Sequence, residues 1–303
     1  MLTRALVLKI ASLPPVRRLI AQGRPFRKLV DRFVAGETLQ SALRVASQLQ
    51  SKGMKVSLDY LGESVRDRQM AEAVVEEYLR VLPALAQAGL DAQVSVKLTQ
   101  LGLDIEDAFC VRNLERIVQC AQEVGGFVRI DMESSAYTKR TLDIFYSLHE
   151  RYPNLGIVIQ AYLYRSADDI DQLIGCKASV RLCKGAYAEP ASIAYPRRGQ
   201  VNAAYRRLMQ KLLLYGHNPA LATHDESIIR DAITFTLEKG IEPQRFEFEM
   251  LYGIRRDLQE RLVHQGYQMR VYVPYGEAWY PYFTRRLAER PANLLFFLRH
   301  VWR

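Results

Sequence analysis

Cysteine, histidine and long apolar runs are all scarce in this chain. Its four cysteines, Cys110, Cys120, Cys176 and Cys183, show no CxxC spacing. They are too few and too scattered for a disulfide framework, so a reducing compartment, the cytoplasm, is expected. The five histidines form neither HxH nor HExxH, which speaks against a zinc enzyme, and no metal is expected. No apolar stretch reaches the roughly 18 residues of a membrane span. No GxGxxG is present, which removes the usual dinucleotide signature of an open, doubly wound sheet. Low-complexity tracts and an evident interdomain linker are missing too.

What the chain has in excess is positive charge. The formal net charge is +9 over 303 residues, which points to an anionic partner: nucleic acid, a membrane surface or acidic small molecules. The basic residues are scattered, without a compact basic segment, so nucleic acid is not expected. The first 20 residues, MLTRALVLKIASLPPVRRLI, are basic and amphipathic. Lys9 interrupts the apolar core that a secretory signal needs. The segment reads as a helix packed under the domain, with a membrane-surface helix as the alternative.

Residues 1 to about 50 read as helical. The clearest segment is ETLQSALRVASQLQSKG, with Leu39, Leu43, Val45 and Leu49 spaced for a helix and Gly53 as its stop. From Met54 the texture changes to a regular alternation of short β-like runs and helix-like segments. The runs are MKVSLDYLG, QVSVKLTQLG, FVRIDME, LGIVIQAYLYR, ASVRLCKGAY, PALATHD, FEFEMLYG and YQMRVYVPYG. Eight strand–helix units in about 250 residues predict a (β/α)₈ barrel of the TIM type, with an open doubly wound sheet as the runner-up. The division expected is a helical segment over 1–53 packed on a barrel over 54–303, forming one structural domain.

Barrel chemistry sits at the carboxyl ends of the strands, and the unusual residues collect there. Lys97 lies inside the second run, SVKLT, and a lysine in an apolar strand is costly unless it is paired or lines a polar pocket. It can clamp an anion, form a Schiff base, or snorkel from a strand end. Asp131 and Glu133 end the third run, and an internal ion pair between Arg129 and Asp131 is the simpler alternative to a catalytic carboxylate. Gln160 offers a donor and an acceptor suited to a heterocycle edge. Arg181, Lys184, Gly185, Ala186 and Tyr187 combine cations with small residues that let a planar ligand approach the backbone. Thr223, His224 and Asp225 end the sixth run, and Met250, Leu251 and Tyr252 end the seventh as apolar wall. After the last run, a tyrosine-rich segment leads to Arg285 and Arg286, which read either as a carboxylate or phosphate clamp or as a basic helix face.

The motifs SVKLTQLG, RIDME, QAYLYR, RLCKGAY, ATHD, FEFEMLYGIR and VYVPYG followed by WYPYFTRRLAERPAN resemble, in order and spacing, the proline dehydrogenase family. The likeness runs from about residue 54 onward and is greatest to the small, monofunctional bacterial members. No aldehyde dehydrogenase half is expected after the barrel. The resemblance implies a distorted (β/α)₈ barrel with a final C-terminal helix, binding FAD without a Rossmann fold. It implies oxidation of L-proline to Δ1-pyrroline-5-carboxylate, with hydride passing from proline C5 to flavin N5 and electrons going on to a membrane quinone. By the same resemblance, Lys97, Arg285 and Arg286 grip the substrate carboxylate, and Asp131 is the catalytic-site aspartate that steadies Lys97. Tyr272, Tyr282, Tyr187, Ala186 and Leu251 wall the ring pocket. Arg181 lies near flavin N5, where a fixed positive charge favours the reduced ring. Gln160 bonds the isoalloxazine edge, and Met132, Lys184, Gly185, Ala186, Thr223 and His224 add further FAD contacts. Glu249 stands where relatives commonly have an amide and is left out of the expected site. Cys183 is expected to be inert packing.

Two other readings stay open at this stage. One is a Schiff-base aldolase using Lys97 or Lys184. The other is a non-catalytic, basic membrane-surface protein. Peripheral contact with the inner membrane is compatible with the dehydrogenase reading, and the basic N-terminus and the segment NLLFFLRHVWR are its candidate contacts.

Overall fold

The computed structural model of the chain describes residues 30–62 and 64–289, with side chains through Thr284. Eight parallel strands alternate with helices. The strands are β1 (Lys55–Tyr60), β2 (Gln93–Val96), β3 (Phe127–Ile130), β4 (Leu155–Gln160), β5 (Val180–Cys183), β6 (Ala220–Ala222), β7 (Glu247–Leu251) and β8 (Gln268–Tyr275). Helix α1 (Leu39–Gln50) precedes them. After each strand in turn come α2 (Arg68–Gln87), α3 (Asp107–Glu123), α4 (Ser135–His149), α5 (Ser166–Gly175), α6 (Arg198–Tyr215), α7 (Glu226–Lys239), α8 (Arg256–His264) and α9 (Trp279–Glu289).

The strands pair in sequence order and the sheet closes on itself. β8 runs parallel to β1 from Lys55 opposite Arg270 to Tyr60 opposite Tyr275. The expected (β/α)₈ barrel is therefore the observed fold, and all eight expected runs contain a strand. Short apolar runs such as LGIVIQ, buried at all six positions of β4, suit a sheet covered on both faces.

Alternate residues of each strand point inward, and here the interior is polar. Ser57 and Ser95 share a hydrogen bond of 2.9 Å inside the barrel. Arg270 and Glu247 pair at 2.8 Å, and Arg181 and Glu249 at 2.6 Å. The outward residues, among them Val56, Leu58, Val94, Val96, Val128 and Ile130, are buried in the apolar layer between strands and helices.

Local signals set the helix ends. Asp67 caps α2 by accepting from Met70 N at 2.9 Å, and Asp225 caps α7 by accepting from Ser227 N at 3.1 Å. Gly240 ends α7 at φ +62°, a left-handed turn that glycine adopts without strain. Thr38 caps α1, whose Ala42 and Ala46 are buried in the main core.

Residues 30–36 form a strap tied to the carboxyl end of the barrel. Ala35 N donates to Pro274 O at 2.8 Å, and Gly276 N donates to Gly36 O at 3.0 Å. Phe33 and Val34 pack with Leu61, Ile254, Tyr282 and Phe283 in a second apolar cluster. That cluster holds α9 against the mouth of the barrel. The amphipathic segment of residues 1–20 and the segment NLLFFLRHVWR lie outside the described residues. Among the described residues no helix is long and apolar enough to cross a membrane.

Candidate active site

The carboxyl ends of the strands enclose a cavity of about 1120 Å³. Its floor is a chain of five charged side chains and one tyrosine, each delivered by a different strand. Asp59 comes from β1, Lys97 from just after β2, Asp131 from just after β3, Arg181 from β5, Glu249 from β7 and Tyr272 from β8.

Lys97 Nζ donates to Asp59 Oδ1 at 2.7 Å and lies 3.4 Å from Asp131 Oδ2. It also reaches Tyr272 OH at 3.3 Å, and that hydroxyl donates to Asp131 Oδ2 at 2.7 Å. Arg181 Nη1 donates to Asp131 Oδ1 at 3.0 Å, Nε to Glu249 Oε2 at 2.6 Å and Nη2 to Ser95 Oγ at 3.0 Å. Its guanidinium sits 5.3 Å from the Tyr272 ring centroid. Asp131 is thus the hub joining Lys97, Tyr272 and Arg181.

Burial works against every charge here, and the outcome differs by partner. For Lys97 burial pulls the pKa down, but Asp59 and Asp131 outweigh it, and the ammonium is held above its ordinary value. For Arg181 burial acts the same way and Glu249 and Asp131 again prevail, so its pKa is raised. Burial raises the Asp59 carboxyl against the pull of Lys97, and raises Glu249 against that of Arg181. Burial, with Asp131 and Asp59, drives the Tyr272 phenol well above its usual range. A lysine kept charged is a poor Schiff-base nucleophile, which requires the free amine.

Several expected site residues take defined places. Gln160 is fully engaged: Nε2 donates to Met132 O at 2.9 Å and Glu133 O at 2.8 Å, and Oε1 accepts from Ala186 N at 3.0 Å. Gln160 N also approaches Met132 Sδ at 3.1 Å. His224 Nε2 accepts from Leu251 N at 2.9 Å, and Thr223 Oγ1 accepts from Asp225 N at 3.1 Å. Lys184 Nζ pairs with Asp225 Oδ2 at 2.7 Å, and Arg198 comes within 3.9 Å of the same oxygen. Burial raises the Asp225 carboxyl, but Lys184 and Ser227 outweigh it and hold it down at about 2. Tyr282 and Tyr272 are buried, Leu251 is half-buried, and Tyr187 is exposed on the loop after β5. At Gly185, φ is +125° and a side chain would run into the Tyr162 ring. Packing against Tyr162 therefore demands this glycine, whatever approaches from the cavity. Arg285 and Arg286 lie on α9 by backbone, but their side chains lie outside the described residues.

Three features differ from the sequence reading. Arg129 does not pair with Asp131: its Nη1 donates to Ser179 O at 2.8 Å instead. Glu249, set aside as a departure from the family pattern, is 2% exposed and is the closest partner of Arg181. Asp59 was not foreseen at all, yet it is Lys97's nearest carboxylate. Cys183 is half-buried near Asp131, and desolvation pushes its thiol up to about 12, which leaves it unreactive. Among the described residues no cluster could hold a metal ion.

A family profile described as proline dehydrogenase matches residues 42–299. Proline dehydrogenase 1 of Bacillus subtilis subsp. natto is 42% identical over 270 residues, covering 89% of each chain. Proline dehydrogenase of Deinococcus radiodurans is 40% identical over 300 residues, covering 97% of this chain and 96% of that one. Proline utilization A from Bdellovibrio bacteriovorus, solved after inactivation by N-propargylglycine, superposes over 93% of this chain with a TM-score of 0.83 and 26% identity. This chain spans 36% of that longer protein. With the profile covering most of its length and single-activity relatives matching along nearly all of theirs, the chain belongs to the proline dehydrogenase family.

Proposed function

We propose that this chain oxidises L-proline to Δ1-pyrroline-5-carboxylate with FAD held in the barrel mouth, and that the electrons pass to a membrane quinone. The observation that carries this reading is the run of Asp59, Lys97, Asp131 and Arg181 across the barrel floor, beneath a cavity of about 1120 Å³. That volume exceeds the roughly 300–1,000 Å³ of a site for one drug-sized ligand, and it suits a dinucleotide together with an amino acid.

The residues present fit a flavin. Two buried carboxylate oxygens lining the cavity, Asp59 Oδ2 and Glu249 Oε1, have no hydrogen-bond partner in the protein, so the floor accepts N–H donors. Lys184 and Arg198 together face one carboxylate, Asp225, which leaves positive charge at that edge for a diphosphate. When bound, the flavin supplies the hydride acceptor, and Arg181 is the cation suited to its electron-rich ring.

The remaining roles belong to the chain's own residues. The floor sets two cations, Lys97 and Arg181, against three carboxylates, Asp59, Asp131 and Glu249. That balance accommodates the ring nitrogen of proline but leaves its carboxylate short of counter-charge. Arg285 and Arg286, carried on the helix after β8, supply it alongside Lys97. Asp131 fixes Lys97 and Tyr272 together, so the substrate meets a preset anchor and wall. Tyr282, Tyr187, Ala186 and Leu251 complete the apolar enclosure. The enzyme works on the cytoplasmic side of the membrane and touches it peripherally to reach its quinone. The test is an anaerobic titration of the purified protein with L-proline. A flavin spectrum that bleaches, with formation of the cyclic imine, is expected. A protein that takes up no flavin, or holds flavin that proline leaves oxidised, overturns the reading.

A further inference from the structure

The amino-terminal end of the barrel, opposite the candidate active site, holds a second cavity of about 270 Å³. Gln93, Arg129, Ser179, Glu247 and Arg270 line it. Two arginines, Arg129 and Arg270, share this end with two carboxylates, Glu247 and Asp91, but both carboxylates pair with Arg270. Glu247 is committed to Arg270 at 2.8 Å, and Glu249, higher in the barrel, is committed to Arg181 at 2.6 Å. Asp91 approaches Arg270 from the rim, also at 2.8 Å.

Arg129 is left over. It is 2% exposed, and among the described residues it forms no ion pair with a carboxylate. Its Nη atoms donate to Ser179 O at 2.8 Å and to Ser179 Oγ at 3.3 Å, both neutral acceptors. Its Nε has no hydrogen-bond partner. Gln93, 4% exposed on the neighbouring strand, also leaves its Nε2 without a partner. A buried guanidinium without a counter-ion is costly, and so is each unmet donor. Burial, reinforced by Arg181, pulls the Arg129 pKa down to about 9, and Glu249 and Glu247, acting from beyond ion-pair distance, offset only part of that. A water could meet a donor but would bring no counter-charge into direct contact with the guanidinium.

We propose that this lower cavity binds a small inorganic anion, with Arg129 and Gln93 as its buried donors and Arg129 as its counter-charge. Its volume is about nine times the ~30 Å³ share of one water, which admits a halide or a hydrated phosphate and excludes a nucleotide. Exposed Lys55 and Arg245 at the rim make the entrance attractive to anions. The site lies at the face of the barrel where conserved chemistry reads as stability, so the anion acts as a structural ligand.

The test uses the full chain in excess FAD, so that the upper cavity is filled. Thermal unfolding is followed against phosphate at fixed ionic strength, balanced with gluconate, a singly charged carboxylate that competes weakly with phosphate for a guanidinium. The Tm of the native protein is expected to rise by about 2 °C for each tenfold increase in phosphate above its dissociation constant. Arg129→Gln removes that rise. If Arg129→Gln does not fold, Gln93→Leu, which removes a donor but no charge, is expected to shift the rise to higher phosphate. Crystals soaked in bromide are expected to show an anomalous peak in the cavity. Equal phosphate responses of the native and variant proteins, or a cavity holding only water after the soak, overturn the proposal.

Discussion

Replacing Lys97 with methionine keeps most of the side chain's bulk and removes only its charge. Asp59 bears the consequence, because it is 1% exposed, its Oδ1 accepts from Lys97, and its Oδ2 has no partner. Asp131 loses less, since Tyr272 and Arg181 still bind it. Breaking a buried pair from one side costs about 3–5 kcal/mol, because the other charge is stranded. The stranded Asp59 can escape part of that cost by taking up a proton. Burial already raises its pKa with Lys97 present, and it rises further without it. A carboxyl whose folded pKa is raised binds its proton more tightly in the native state, so the native state loses stability as pH rises. The gap between Lys97→Met and the native protein therefore widens as pH rises above the ordinary carboxylate range. Adding Asp59→Asn to Lys97→Met removes the stranded charge and recovers roughly 2 kcal/mol. Urea unfolding of the native, single and double variants measures all three quantities. A Lys97→Met cost below about 1 kcal/mol, or no recovery in the double variant, would refute the buried-pair reasoning.

Other outcomes follow from single contacts. Glu249→Gln leaves the charge of Arg181 less compensated and favours the reduced flavin. The midpoint potential is expected to rise on the order of 30 mV, equivalent to about 1.4 kcal/mol for two electrons. A potential unchanged or lowered would separate Glu249 from the cofactor. At Gly253, φ is +75° and a Cβ would overlap Arg32 O. Gly253→Ala should therefore lift the strap at residues 30–36, seen as faster proteolytic cleavage there, whereas native-like resistance would mean that the strap is not held at this point. Asp225, held at about 2 against an ordinary 3.8, contributes stability that is complete above the ordinary value and is lost as pH falls toward 2. The Tm difference between the native protein and Asp225→Asn, which keeps the helix cap, should shrink only below about pH 4. A difference that already varies between about pH 5 and about pH 7 would contradict this assignment.

The barrel was legible because parallel strands buried on both faces appear as short apolar runs, each closed by polar residues and followed by a helical period. Lys97, Asp131 and Arg181 stood out because a charge beside such a run must have a partner. Their partners were harder to read. Arg129 and Asp131 do share one strand face, but two residues of strand span about 6.6 Å, so neighbours from other strands reach each first. Glu249 meets Arg181 across 68 positions of sequence, a distance that only barrel closure removes. Asp59 was overlooked because SLDY looks like an ordinary polar strand end. Its signal was the inward alternation with Ser57, the same alternation that places Lys97 above Ser95. The strap at residues 30–36 left no periodic signature, since it is held by backbone hydrogen bonds and by Phe33 and Val34 side by side rather than by a repeating apolar face.

The central claim, that this chain takes a hydride from C5 of L-proline, is tested most directly by anaerobic single-turnover reduction of the bound flavin. L-Proline deuterated at C5 should bleach the flavin several-fold more slowly than unlabelled L-proline, while deuterium at C2 should leave the rate unchanged. A rate that slows with the C2 label and not the C5 label, or a flavin that neither substrate reduces, would contradict the account.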